Sequence, residues 1–221
     1  MLDTRMRAIL GPALGVAGKR LAAAGIPPVA LTAGGWAVGA GACAAIALHA
    51  WLAALGLWLA SRLLDGLDGP TARAGGQATE AGGFLDIVAD FSVYAGVVVG
   101  VAVAIPRARL ACVALLAAYY VSGTAFLALS SLAERRRQRF GDERSLRFVG
   151  GLAEGTETIG VYVLLCLRPQ DATLIAWVFT LAVAVTAGQR VVMGVRLLRA
   201  PAAAGPAAQA VCGGADAAHV P

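Results

Sequence analysis

Long apolar stretches separated by short polar breaks run through this chain. Residues 29–48 and 110–132 are apolar or small along their length. Residues 87–105 are broken by charge at Asp90, and residues 174–198 are interrupted at Gln189 and Arg190. A helix that crosses a bilayer needs roughly 20 such residues. Residues 51–64 are a shorter run that carries Arg62, and they fit a helix running from one interface toward a group of aspartates. The pattern predicts an all-α polytopic membrane protein with six transmembrane helices, at 29–48, 51–69, 84–105, 109–132, 149–167 and 172–198. Ahead of them, Leu2, Met6, Ile9, Leu10, Leu14 and Leu21 alternate with Arg5, Arg7, Lys19 and Arg20. That mixture predicts an N-terminal amphipathic helix lying in the interface, ended by Pro27-Pro28. Residues 1–28 are therefore a juxtamembrane segment, 29–198 the transmembrane catalytic domain, and 199–221 an Ala/Gly/Pro-rich tail expected to be disordered.

Composition agrees. The chain is 59% hydrophobic and 14% charged, where a soluble domain is about a quarter charged. The net charge of +5 is unevenly placed. With the N-terminus inside, one face holds Arg5, Arg7, Lys19, Arg20, Arg62, Arg73, the arginines of 134–148, Arg196 and Arg199. The other holds only Arg107, Arg109 and Arg168. Short loops follow the positive-inside rule. Both termini, and the aspartates between the second and third spans, are expected on the cytoplasmic side of a bacterial inner membrane. The basic residues flank spans, which argues for contact with membrane lipids and against nucleic acid. Cys43, Cys112, Cys166 and Cys212 have no metal-site spacing, and those within spans read as small packing residues. No signal peptide with a clean apolar core and cleavage site is visible at the start.

The chemistry concentrates in residues 65–90, DGLDGPTARAGGQATEAGGFLDIVAD. Asp65, Asp68, Gly69 and Ala72 share one helical face, and Gly82, Asp86 and Asp90 recur every fourth residue on another. A Gly-rich turn at 74–83 would bring the two faces together. Four carboxylates converging at the edge of an apolar slab repel one another and are costly to bury. Divalent cations relieve that cost. Oxygen-only ligation favours Mg²⁺, or Mn²⁺, and four carboxylates suit two ions able to clamp a diphosphate and activate a hydroxyl. Gly69, Ala72, Gly82 and Gly83 leave room for a ligand beside the backbone, and Arg73 lies one turn from Asp68-Gly69, where it can meet phosphate.

The run Asp65-x-x-Asp68-Gly69-x-x-Ala72-Arg73, eight residues, then Gly82-x-x-x-Asp86-x-x-x-Asp90, resembles the signature of the CDP-alcohol phosphotransferases at every fixed position. The six-span pattern extends the resemblance over about 20–198. The resemblance implies an integral membrane enzyme of phospholipid biosynthesis. It would transfer the phosphatidyl group of a CDP-linked lipid, usually CDP-diacylglycerol, to an acceptor alcohol and release CMP. It also implies that Asp65, Asp68 and Asp86 ligate two metal ions, with Asp90 completing the second site and acting as general base. Gly69 and Arg73 would contact the CDP moiety. Thr79 matches a polar position near the diphosphate, and Thr32 the end of an element opening the first span. Val29 stands where many members carry Asn, a departure that touches the nucleotide contacts and leaves the metal site intact. Homodimerisation is implied in the same way.

The acceptor is less legible. Glu154 and Glu157 lie one turn apart at the start of the fifth span, and Arg190 sits within the sixth. Arg144 and Arg147, in the charged block 134–148, are further pocket candidates. Arginines favour a phosphate-bearing alcohol such as glycerol 3-phosphate or an inositol phosphate. The glutamates favour an amino-alcohol such as serine, or choline. Two other classes use similar residues. A membrane prenyltransferase also holds Mg²⁺-diphosphate on aspartates, but with other spacing on two separate loops. A cation transporter would place its carboxylates near the bilayer midplane and show repeat symmetry, and no repeat is visible here.

Overall fold

The computed structural model describes residues 2–140 and 155–199, and among these all regular structure is helical. The helices are α1 (Leu2–Ala23), α2 (Pro28–Ala47), α3 (Trp51–Ala74), α4 (Glu80–Ala104), α5 (Arg109–Phe140), α6 (Gly155–Leu167) and α7 (Ala172–Arg199). Short 3-10 turns at Pro106–Ala108 and Pro169–Asp171 lead into α5 and α7. α2 packs between α3 and α4, α5 pairs with α7, and α1 and α6 lie against α3.

Four of the expected spans are long and apolar enough to cross a membrane, in the segments Pro28–Ala47, Glu80–Ala104, Pro106–Leu132 and Pro169–Arg196. α3 has the length, at 24 residues, but Arg62, Asp65, Asp68 and Arg73 lower its hydropathy. The described part of α6 has 13 residues. Residues 149–154, at the start of the fifth expected span, lie outside the described residues, as does the tail from 200 onward. Large apolar side chains such as Leu52, Leu110, Leu174 and Leu181 point outward. An aqueous surface rarely tolerates so many, whereas a lipid one does.

The chain reverses direction by a repeated device. α1 ends with Gly25 at φ 73°, and Ile26 N–H donates to Leu21 O. α3 ends with Gly76 at φ 64°, and Gln77 N–H donates to Ala72 O. Both are left-handed helix caps, in which glycine avoids the Cβ clash of positive φ. At the opposite end of the bundle His49 holds the same conformation at φ 61°, and its Nε2 lies 3.0 Å from Ala104 O. Arg107 donates to the carbonyl of Gln170 at that end, so the three arginines assigned to the poorly charged face sit near one end of the bundle.

Three expectations change. α4 begins at Glu80, because the hydroxyl of Thr79 accepts from Gly82 N–H at 3.1 Å and caps the helix. Gly82, expected on the helical face of Asp86 and Asp90, and Gly83 therefore belong to its first turn, and the connecting turn ends earlier than the expected 83. α5 runs on to Phe140, beyond the span boundary at 132, so the first arginines of the charged block extend a helix. α1 forms over 2–23, but its apolar residues are not confined to the face that meets α3: Leu14 packs over Gly66, while Ile9, Leu10 and Val16 are exposed.

Close approach between α2 and its neighbours depends on small residues. A Cβ on Gly39 would lie 2.8 Å from both Val93 methyls and 2.9 Å from Ser61 Oγ. Without side-chain bulk at that point, α3 and α4 both come close enough to α2 for their carboxylates to face one another. Below the site the core is built from Ile46, Trp58, Val97, Leu115 and Tyr162. Cys112 and Cys166 are buried in it, and Cys43 meets Val93 O through Sγ, as expected of packing residues.

Candidate active site

The carboxylates of the two motif helices approach one another although α3 and α4 pack mainly on α2 and scarcely on each other: Asp65 faces Asp86 and Asp90, and Asp68 faces Asp86. Asp68 is the most enclosed, at 8% exposure. Thr32 of α2 donates its hydroxyl to Asp68 Oδ2 at 2.7 Å. Pro28 at the first position of α2 lets the helix begin abruptly and places Thr32 one turn in, level with Asp68. Among the described residues, no three acidic, His or Cys side chains are drawn together tightly enough to form a ready-made metal cluster. In donor chemistry the set still fits a hard divalent cation: carboxylate oxygens from two facing helices and no nitrogen or sulfur ligand.

Asp90 is engaged differently. Arg62 Nη1 donates to Asp90 Oδ1 at 2.5 Å and lies 3.5 Å from Asp65 Oδ2. The Arg62 side chain is 7% exposed. Sequence reasoning treated Arg62 only as a basic residue in a span. The signal was present in the spacing, since Trp58, Arg62 and Asp65 share one helical face.

A cavity of about 580 Å³ opens beside Asp68 and Asp86. Thr32, Gly69, Ala72, Arg73, Thr79 and Gly82 all line it, so every residue expected to meet a CDP-lipid faces one space. A Cβ on Gly69 would come 3.2 Å from Arg73 Nη1, so the glycine makes room for that guanidinium. An apolar groove of about 230 Å³ adjoins it between α2 and α4, sharing Val29 and Thr32 and continuing past Trp36 and Leu85.

A third cavity, of about 500 Å³, lies farther along α4 among α5, α6 and α7. Tyr94, Tyr119, Ser122, Thr158 and Arg190 are its main polar lining. Arg190 Nη1 donates to Ser122 Oγ at 2.8 Å, and its guanidinium lies over Phe126. Asp86, Asp90 and Tyr94 follow at four-residue intervals, so one face of α4 carries a residue of the first cavity, then Asp90, then a residue of this chamber. Glu157 lies in the first turn of α6 and does not line the chamber. Arg144, Arg147 and Glu154 lie outside the described residues.

Convergent carboxylates beside a glycine-lined cavity, on the spacing of residues 65–90, coincide with a family assignment made independently of the geometry. The CDP-alcohol phosphatidyltransferase model matches residues 26–187, and the chain belongs to that family. The inner membrane protein YnjF of Escherichia coli (strain K12) is 43% identical over 172 residues, 76% of this chain and 83% of that one. In fold, the chain is similar to the crystal structure of Mycobacterium tuberculosis phosphatidylinositol phosphate synthase with CDP-DAG bound. That match has a TM-score of 0.65 at 21% identity and covers 82% of this chain and 92% of the other.

Proposed function

We propose that this protein is a divalent-cation-dependent phosphatidyltransferase that moves the phosphatidyl group of a CDP-linked lipid, CDP-diacylglycerol, to the hydroxyl of a small alcohol and releases CMP. The observation that carries this is the cavity in which Asp68 and Asp86 face Gly69, Arg73 and Thr79. The adjoining apolar groove suits an acyl chain of the donor. Bilayer placement is supported by the four apolar helices and by the inner membrane name of YnjF. The charge distribution favours a cytoplasmic site and cytoplasmic termini, with α3 and α6 as the remaining two spans.

In this reading Asp65, Asp68 and Asp86 hold two Mg²⁺ ions, with Asp90 beside the second. Bound there, Mg²⁺ supplies charge stabilisation for the diphosphate and acidifies a nearby hydroxyl. The chain's own residues do the rest. Thr32 fixes the orientation of Asp68. Arg73, folded over Gly69, reaches toward the diphosphate and stabilises the charge that develops on departing CMP. Asp90, between the donor cavity and the second chamber, is placed to accept the proton of the attacking hydroxyl. The chamber would hold the acceptor. Arg190 is the one charged side chain among its described lining residues, which favours an alcohol bearing a negative charge such as a phosphate.

Purified protein incubated with CDP-diacylglycerol, Mg²⁺ and, in separate reactions, glycerol 3-phosphate, inositol 1-phosphate, serine and choline should release CMP with one phosphorylated acceptor. The Asp68→Asn variant should release none. No CMP with any acceptor would overturn the activity, and CMP only with serine or choline would overturn the assignment of an anionic acceptor.

A further inference from the structure

Arg62 is a cation built into a carboxylate cluster, and the surrounding structure fixes it there. Its guanidinium carbon lies 4.8 Å from the ring centre of Trp58 and 5.2 Å from that of Tyr94. Nη2 donates to Ser61 Oγ at 3.2 Å, and Ser61 donates in turn to Gly35 O at 2.8 Å. Nη1 donates to Asp90 and, at 3.4 Å, to the Tyr94 hydroxyl. Nε has no hydrogen-bond partner among the described residues, so the hydrogen bonds the group makes run through its two terminal nitrogens. The aromatic walls are themselves held. Trp58 and Tyr162 pack with ring centres 5.1 Å apart, and the Tyr162 hydroxyl donates to Tyr94 O at 2.9 Å. Moving a planar, permanently charged group so enclosed would cost these ring contacts and hydrogen bonds.

Four carboxylates and one fixed cation divide unequally. Asp68 and Asp86 line the donor cavity, Asp65 lies 3.5 Å from Arg62 Nη1, and Asp90 is hydrogen-bonded by Arg62 directly. We propose that Arg62 is a positioning residue that keeps Asp90 from being drawn fully onto a divalent ion. This rests on the function proposed above. Arg62 and a cation compete for the same carboxylate, and their like charges oppose each other across it.

The test uses Mn²⁺ alone as probe, bound to full-length protein in detergent and followed by the loss of the free-ion electron paramagnetic resonance signal. Arg62→Met keeps much of the bulk and removes the charge. It should bind Mn²⁺ at least about ten-fold more tightly than wild type, because Asp90, released from the guanidinium, then offers the ion a carboxylate charge worth at least that factor even in a high effective dielectric. Arg62→Lys keeps the charge and should stay within about three-fold of wild type. Adding Asp90→Asn to Arg62→Met should remove the gain, since the tightening acts through Asp90. Unchanged or weaker binding by Arg62→Met, equal tightening in Arg62→Lys, or a gain that survives Asp90→Asn would each overturn the proposal. Should Arg62→Met fail to fold, Arg62→Gln takes its place, with the same tightening expected and an unchanged affinity overturning the proposal. Mn²⁺ binding absent from wild type and variants alike would overturn the metal-dependent function itself, a result distinct from binding that ignores Arg62.

Discussion

Thr32 of α2 and Asp68 of α3 share a hydrogen bond of 2.7 Å, which ties the first apolar helix to the most enclosed carboxylate of the site. A hydrogen bond to an ionised group contributes roughly 1.5–3 kcal/mol. Thr32→Val should therefore lower the rate of CMP release by about ten-fold or more, and Thr32→Ser, which restores the hydroxyl, should recover most of it. Steady-state kinetics with CDP-diacylglycerol as the varied substrate checks this.

Metal removal gives a second test. Treatment with a chelator should abolish CMP release, and Mg²⁺ or Mn²⁺ should restore it. Zn²⁺ should restore little, because the site offers oxygen without nitrogen or sulfur.

Packing around Gly39 predicts a stability difference between neighbouring glycines. Gly39→Ala would push a Cβ into Val93 and Ser61, and overpacking of this kind costs about 1–3 kcal/mol. Gly41→Ala meets only ordinary contact with Leu57, at 3.7 Å, and should be neutral or slightly stabilising. Thermal unfolding in detergent separates the two.

Gly18 of α1 makes a comparable prediction at the motif helix. A Cβ there would sit 2.7 Å from Pro70 Cβ and 2.8 Å from its carbonyl carbon, and that backbone has little room to yield. Gly18→Leu should displace α1 and expose it to limited proteolysis, whereas Gly15→Ala, with open space around it, should leave the digestion pattern unchanged.

Arg190 predicts a change confined to one substrate. Arg190→Met should raise KM for the phosphorylated acceptor by about ten- to hundred-fold, the equivalent of a lost charge-assisted hydrogen bond. KM for CDP-diacylglycerol should stay within about two-fold, since Arg190 is not among the residues lining the donor cavity. Separate titrations of the two substrates measure both.

Much of the donor side was legible in the sequence because helical spacing alone puts Asp65 with Asp68 and Asp86 with Asp90, and a short turn must then bring the pairs together. Gly69, Arg73 and Gly82 fall into the same cavity for the same reason, whereas Thr32 on α2 and Thr79 before α4 were expected near it from the family resemblance. The acceptor side was less legible. Its chamber is assembled from α4, α5, α6 and α7, whose mutual packing no local spacing encodes. Arg62 was counted toward membrane orientation, although its position depends on Asp90 and Tyr94 arriving from another helix. The apolar pattern places the span boundary at 84, inside α4, because hydropathy does not register the Thr79 hydroxyl that caps the helix from Glu80.

The donor cavity and the chamber adjoin successive turns of α4, yet their described linings have no residue in common. If the proposed function holds, a lipid-borne substrate and a water-borne one would have separate places to wait, and neither would need to leave before the other arrives.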